Sequence, residues 1–241
     1  MSVVQSPAET NQTTKTLTLA KALNAGLRAA MSADDKVLLY GEDIGSLGGV
    51  FRVTEKLQAQ FGPDRVLDSP LAEAGLIGTA IGMAQRGYRP VVELQFDGFV
   101  FPGFDQITQQ LAKMRFRSHG RVQLPVVVRF PYGGGIGSIE NHSESVEAYF
   151  AHTPGLTVVT PSNPNDGYWM IQQAIASPDP VIFLEPKRRY HEKGAVQLDA
   201  PALGLHEASV ARAGTDVTLI CWGPMVRTCL DAAAAAEKEG R

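Results

Sequence analysis

Short apolar runs alternate along this chain with longer stretches in which apolar residues recur at helical spacing. The runs Val37–Tyr40, Val66–Asp68, Pro90–Phe96, Pro125–Phe130, Thr157–Thr160, Val181–Leu184 and Val217–Trp222 read as strands. The helical pattern covers Leu19–Met31, Leu71–Arg86, Asp105–Phe116, Glu144–Ala151, Asn165–Ala176 and Met225–Glu239. Gly and Pro punctuate the joints, as in Gly87-Tyr-Arg-Pro90 and Ser177-Pro-Asp-Pro180. This alternation predicts an α/β fold, a parallel sheet with helices on both faces.

The same pattern divides the chain. Residues 1–15 are polar and lack an apolar core, which predicts a disordered tail. Residues 16–192 hold most strands and helices and form the principal domain. A stretch with Gly, Pro and Asp but no helical period, 193–206, reads as a linker. Residues 207–241 carry one strand and one helix, the incomplete start of a second α/β unit too small to bury a core alone.

Composition narrows the class. Of 241 residues, 44% are hydrophobic and 20% charged, ordinary for a chain that buries a core. A net charge of −3 without a basic run speaks against nucleic acid as a partner. The two cysteines, Cys221 and Cys229, form no metal-ligand or disulfide pattern and fit a reducing compartment. The first residues make neither a signal peptide nor an Arg-rich presequence, and no apolar run is long enough for a bilayer. A cytoplasmic protein with no membrane partner is the expectation.

The chemistry-bearing positions are few. In Asp68-Ser-Pro-Leu-Ala-Glu-Ala-Gly75, Ser69 reads as an N-cap and Pro70 as the first helical residue. One carboxylate, Glu73, then stands among Ala, Leu, Ile and Gly. Taken alone it is a first-turn acid favoured by the helix dipole, or an acid held by a specific partner. Phe99 and Phe101 alone pass as core aromatics. Glu42 and Glu185 sit at strand ends, where acids are commonly solvated. Tyr132-Gly-Gly-Gly-Ile-Gly137 lacks the ending of a P-loop, so it reads as a flexible loop that delivers His142 at a helix start.

Taken in order, the motifs carry a resemblance. Gly41-Glu-Asp-Ile44, Gly48-Gly-Val-Phe-Arg-Val-Thr54, Ser69-Pro-Leu-Ala-Glu-Ala-Gly75, Glu93-Leu-Gln-Phe-Asp-Gly-Phe99, Phe104-Asp-Gln-Ile107, Gly133-Gly-Gly-Ile-Gly137, His142-Ser-Glu-Ser-Val-Glu147 and Phe183-Leu-Glu-Pro-Lys187 resemble the β subunit of thiamine-diphosphate-dependent 2-oxo acid dehydrogenases. The match runs from about Leu17 to the end. It implies a pyrimidine-binding α/β domain followed by the truncated start of a transketolase-like C-terminal domain. Family members continue for roughly another hundred residues, about one further domain, so the chain reads as cut short at Arg241.

What the resemblance implies is specific. Glu73 matches the glutamate that protonates a pyrimidine nitrogen from an apolar pocket, where burial raises its pKa. Phe99 matches the aromatic packed on the pyrimidine, with Gln95 and Glu42 close to the cofactor. His142 matches the histidine that faces the thiazolium and substrate and serves proton transfer. Glu42 and Glu185 match acids lining a proton passage between two active sites. Some relatives hold a structural potassium ion with backbone near Leu124, Val126, Val127, Ala174, Ser177 and Asp179.

A Gly-Asp-Gly segment followed by Asn-Asn, which binds magnesium and diphosphate in this cofactor class, is absent from the sequence. An α subunit is therefore expected to supply that half, in an assembly of two α and two β chains. The implied reaction is oxidative decarboxylation of a 2-oxo acid, with acyl transfer to lipoyllysine on an acyltransferase core. Tyr132–Gly137, Glu140-Asn-His-Ser-Glu-Ser145 and Glu185-Pro-Lys-Arg-Arg-Tyr-His191 look most like branched-chain (3-methyl-2-oxobutanoate) members. Pyruvate and acetoin dehydrogenase β subunits share nearly all of these motifs, and a truncated non-catalytic homologue is the other alternative.

Overall fold

A computed structural model describes residues 13–199 and 203–240. Six strands form a parallel sheet: β2 (Val37–Gly41), β3 (Val66–Asp68), β4 (Arg89–Glu93), β5 (Val127–Tyr132), β6 (Thr157–Val159) and β7 (Val181–Pro186). Their spatial order is β3-β2-β4-β5-β7-β6. Alternate residues of each strand serve opposite faces, as the pleat dictates. Val91, Val127, Val181 and Phe183 join one core with α1 (Leu19–Ala33) and α6 (Pro164–Ala176). Val92, Val128, Phe130, Ile182 and Leu184 join the other with α3 (Glu73–Gln85). Both faces are thus covered, which explains why the strands read as apolar runs.

The remaining elements are short. They include α2 (Leu57–Phe61), a 3-10 turn over Asp97–Gly103, a π-helical stretch at Gln106–Leu111, α4 (Met114–Arg117) and α5 (Glu147–Ala151). The π-helical stretch stands where the pattern predicts a regular helix from Asp105 to Phe116. There the Ala112 N–H reaches back to the Ile107 carbonyl, and the Thr108 hydroxyl takes the Phe104 carbonyl.

Three boundaries differ from the sequence reading. Ser69 does not cap α3: its N–H bonds to the Gly41 carbonyl (2.9 Å), continuing the strand direction, and its hydroxyl is buried without a partner. The helix starts at Glu73, with Ala72 as a cap that offers no side-chain bond. Thr14 and Lys15, inside the expected tail, belong to β1 (Thr14–Thr18), which pairs antiparallel with β8 (Lys193–Gln197) at the start of the expected linker. Residues 1–12 of that tail, and 200–202 of that linker, lie outside the described residues.

Val217–Trp222 is not a strand. It runs exposed and without strand pairing ahead of α7 (Met225–Lys238), although its residues are as apolar as those of the sheet. A strand needs a neighbour to take its backbone groups, and no described segment offers one here. Among the described residues no helix is long and apolar enough to cross a membrane.

The α1–α6 contact closes one face at a very short distance. A Cβ on Gly26 would stand 2.5 Å from Ile171 Cγ2 and 2.6 Å from the Tyr168 carbonyl oxygen. Gly26→Ala is therefore expected to destabilise the fold by about 1–3 kcal/mol through overpacking. A lowered urea midpoint with unchanged m-value would register this. An unchanged midpoint would contradict so close an approach.

Candidate active site

The carboxyl ends of β2 and β4 flank the point where the sheet's winding reverses, since β3 lies outside β2 while β4 begins the run to the other edge. Open α/β sheets bind ligands in the crevice outside such a point. Glu42 follows β2 there, and Gln95 follows β4. Gln95 Nε2 donates to Asp43 Oδ2 (3.2 Å), tying the two strand ends together across the crevice.

Glu73 reaches the same place from the first turn of α3. Its backbone packs on the 3-10 turn that carries Phe99, where a Cβ on Gly103 would meet the Glu73 carbonyl at 3.3 Å. The side chain is half-buried, less enclosed than the sequence reading expects, because Leu71, Ala72, Ala74 and Gly75 around it are exposed. Glu42 is its electrostatic neighbour: burial, then the charge of Glu73, then that of Asp43, push the Glu42 carboxyl above its ordinary value. Two acids thus share one crevice.

His142 enters from the glycine loop. Gly133, Gly135, Gly137 and Asn141 all adopt positive φ, so this backbone path excludes most side chains. The imidazole packs on Phe96 (centroids 4.1 Å apart) and Phe99 (5.3 Å), and its Nδ1 lies 2.5 Å from the Glu140 carbonyl oxygen. With the proton on Nδ1 held by that carbonyl, Nε2 is the nitrogen left to accept one. The structure therefore gathers Glu42, Glu73, Gln95, Phe99 and His142 around the 3-10 turn and the ends of β2 and β4.

Of the two acids expected to line a proton passage, Glu42 stands at the crevice and Glu185 inside the sheet's ionic cluster. Glu185 is fully buried, and both of its oxygens are taken: Arg129 Nε donates at 2.5 Å, Arg129 Nη2 at 3.0 Å and the Tyr190 hydroxyl at 2.5 Å. Glu42 instead lies beside Glu73. The carbonyls of the corner expected to hold potassium make hydrogen bonds within the protein. The Leu124, Val126 and Ala174 carbonyls accept backbone N–H groups, the Asp179 carbonyl accepts the Ser177 hydroxyl, and Val127 lies within the β5 ladder. Arg89 donates to the Ile175 (2.9 Å) and Ser177 (3.4 Å) carbonyls at the edge of that corner.

Two buried ionic clusters escaped the sequence reading. Arg129, on β5, bonds Glu93 at the end of β4 and Glu185 on β7, with Tyr190 completing the group. Asp97 and Lys187 form a second pair, with Nζ 2.8 and 3.0 Å from the two carboxylate oxygens. The signal for the first was present: an arginine inside Val126–Phe130 cannot be buried without an acid.

The Arg129 cluster holds two carboxylates against one guanidinium. Burial works against the Arg129 charge, but Glu185 and Glu93 outweigh it and raise its pKa. Glu93 is pushed above the ordinary 4.5 by burial, pulled back by Arg129 and pushed up again by Glu185. Its protonated form therefore contributes stability that is present below that value and lost as pH rises through the folded-state value. Glu93→Gln, neutral at every pH, should gain stability relative to the parent between about pH 5 and about pH 8. Denaturant midpoints at the two pH values measure this, and a difference independent of pH would contradict the surplus-acid reading.

The residues present suit the pyrimidine end of a thiamine-type cofactor. A carboxyl at a helix start and an aromatic ring beside it match a protonatable heterocycle. Among the described residues no group of three His, Cys, Asp or Glu side chains could hold a metal ion for a diphosphate. The fold and this half-site define a pyrimidine-binding domain of the transketolase class.

Comparison with known proteins agrees. A family model described as the transketolase pyrimidine binding domain matches residues 15–193, and one described as the transketolase C-terminal domain matches 206–241. The pyruvate dehydrogenase E1 component subunit beta of Leifsonia xyli subsp. xyli is 61% identical over 97% of this chain and 69% of its own length. The 3-methyl-2-oxobutanoate dehydrogenase subunit beta of Mycobacterium tuberculosis is 53% identical over 94% of this chain and 65% of its own. A solved split-gene transketolase, an inactive beta4 tetramer, shares the fold with a TM-score of 0.72 at 20% identity, over 93% of this chain and 68% of that one. The chain belongs to the transketolase pyrimidine-binding family and, within it, to the β subunits of 2-oxo acid dehydrogenase E1 components.

Proposed function

We propose that this chain supplies the pyrimidine-gripping half of a cytoplasmic 2-oxo acid dehydrogenase and works with an α-type subunit, two of each chain. The convergence of Glu42, Glu73, Phe99 and His142 at the winding reversal carries the reading. The α-type subunit brings the magnesium and diphosphate ligands that this sequence lacks.

When bound, thiamine diphosphate supplies the electron sink that lets a 2-oxo acid lose carbon dioxide. The residues of this chain orient it and move protons. Glu73 shares its proton with a pyrimidine nitrogen, while Phe99 keeps water from that hydrogen bond. The covering subunit removes Glu73 from solvent, a step its half-buried state in the lone chain leaves open. Glu42 stands beside it in the same crevice, its carboxyl held above its ordinary value by burial and by the charge of Glu73. His142, with Nδ1 committed to the Glu140 carbonyl, offers Nε2 to the substrate during decarboxylation and acyl transfer to a lipoyl group on the acyltransferase core.

The substrate is a branched-chain 2-oxo acid, on the strength of the Tyr132–Gly137, Glu140–Ser145 and Glu185–His191 segments. Pyruvate is the second reading, favoured by the 61% identical relative that carries that name. Co-expression with an α-type subunit, followed by decarboxylation assays on 3-methyl-2-oxobutanoate and pyruvate, distinguishes the two. Failure on both would overturn the proposal.

In the active assembly, Glu73→Gln should lower kcat by at least about 10²-fold while the fold is kept. His142→Ala should lower lipoyl acylation by a similar factor of about 10² and leave cofactor affinity nearly unchanged. Parental rates in the first variant, or a loss confined to cofactor affinity in the second, would contradict the assigned roles.

A further inference from the structure

The pair Asp97–Lys187 is unused by the chemistry above, yet both side chains are buried, at 0% and 2% exposure. It joins positions 90 residues apart, the end of β7 and the start of the 3-10 turn. A buried ion pair adds little net stability over an apolar pair of the same volume. Its contribution here is better sought in geometry.

The residues on either side of Asp97 make two of the contacts that hold the His142 segment. Phe96 stacks against the imidazole at 4.1 Å. Gly98 donates its N–H to the carbonyl of Asn141, the residue before His142 (3.1 Å). That approach leaves no room for a side chain: a Cβ on Gly98 would lie 2.5 Å from both Asn141 Cα and the Asn141 carbonyl oxygen. Phe99, one residue further, completes the aromatic wall at 5.3 Å from the imidazole. Every one of these contacts depends on where the backbone at residue 97 is pinned.

Lys187 pins it from beneath. Its Nζ bonds both Asp97 oxygens and lies 5.8 Å from the Phe96 ring centroid, within cation–π range. It also feels the charge of Glu144, two residues past His142, whose carbonyl receives the Gly133 N–H at 2.8 Å. Phe96 has a second support through Phe51 (5.6 Å), which leans on Tyr190 (4.9 Å), but this side is apolar and non-directional. The ion pair adds two directional bonds at residue 97 itself.

We propose that Asp97 and Lys187 are positioning residues: their two-point ion pair holds the Phe96–Gly98 turn in register, and through it sets the imidazole of His142 and the ring of Phe99 over the crevice. This deepens the functional reading above and rests on it for the effect on rate, though not for the geometry. Either residue changed alone strands a buried charge, so the double variant Asp97→Asn with Lys187→Met, which removes both charges together, carries the test.

Two measurements keep the positioning and the reaction separate. In the chain labelled at histidine, the His142 ring signals should carry the ring-current shift imposed by Phe96 and should lose it in the folded double variant. In the assembly with the α-type subunit, kcat for lipoyl acylation should fall by roughly 10²-fold, the scale of a misplacement of about 1 Å. Half-saturation by thiamine diphosphate should change by less than about threefold. A folded double variant with unmoved His142 signals, or with parental kcat, would overturn the proposal. A double variant that does not fold would also overturn it, because the pair would then be needed for stability. Lost ring shifts alongside an inactive parent assembly would support the positioning and count against the function.

Discussion

The guanidinium of Arg129, bridging Glu93 and Glu185, is the constraint on which the rest is built. Glu93 and Glu185 stand at the carboxyl ends of β4 and β7, and Arg129 lies within β5 between them, all on the face shared with Val91, Val127 and Phe183. Their bonds fasten those ends beneath the loops that make the site. From β4 the chain runs on through Gln95 and Phe96 into the turn bearing Phe99, and from β5 it runs into the glycine loop bearing His142. From β7 it runs through Lys187 to Tyr190, whose hydroxyl returns to Glu185. Removing Arg129 would leave two buried carboxylates without a counter-charge, a cost of about 3–5 kcal/mol. The loops above could then keep their sequences and lose their common floor.

On that floor the site is arranged by polarity. Ionic groups lie below, aromatic rings form the middle, and the acids Glu42 and Glu73 with His142 face the open crevice. The lone chain leaves apolar surface around that opening: Leu71, Phe101, Ile136, Ile139 and Tyr149 are all exposed. Such a rim suits a site closed by another polypeptide. Under the proposed function that polypeptide also brings the metal and diphosphate ligands, so burial of Glu73 and completion of the cofactor site become one event. A half-buried acid in the separate chain is consistent with this division.

Much of the fold was legible because the sheet is parallel and covered on both faces, which leaves apolar runs separated by helical periods. Six of the seven predicted strands are present, with edges shifted by a few residues where the chain turns into loops. Val217–Trp222 failed for a physical reason: apolar content marks a strand that wants neighbours and does not supply them. Ser69 misled because its side chain suits a cap while α3 starts only at Glu73, four residues further on. The site residues Glu73, Phe99 and His142 were reachable only through the ordered set of motifs, since each taken singly has an ordinary structural reading. The ionic floor is a matter of pairing across 36 to 90 residues, which periodicity does not encode. An arginine within a run of valines was the one local hint.

The most direct test of this division is calorimetric. Thiamine diphosphate with magnesium would be titrated into the chain alone and into its assembly with an α-type subunit. The account predicts no saturable binding by the lone chain up to about millimolar cofactor, and micromolar or tighter binding by the assembly. Equal, metal-dependent binding by the chain alone would contradict it.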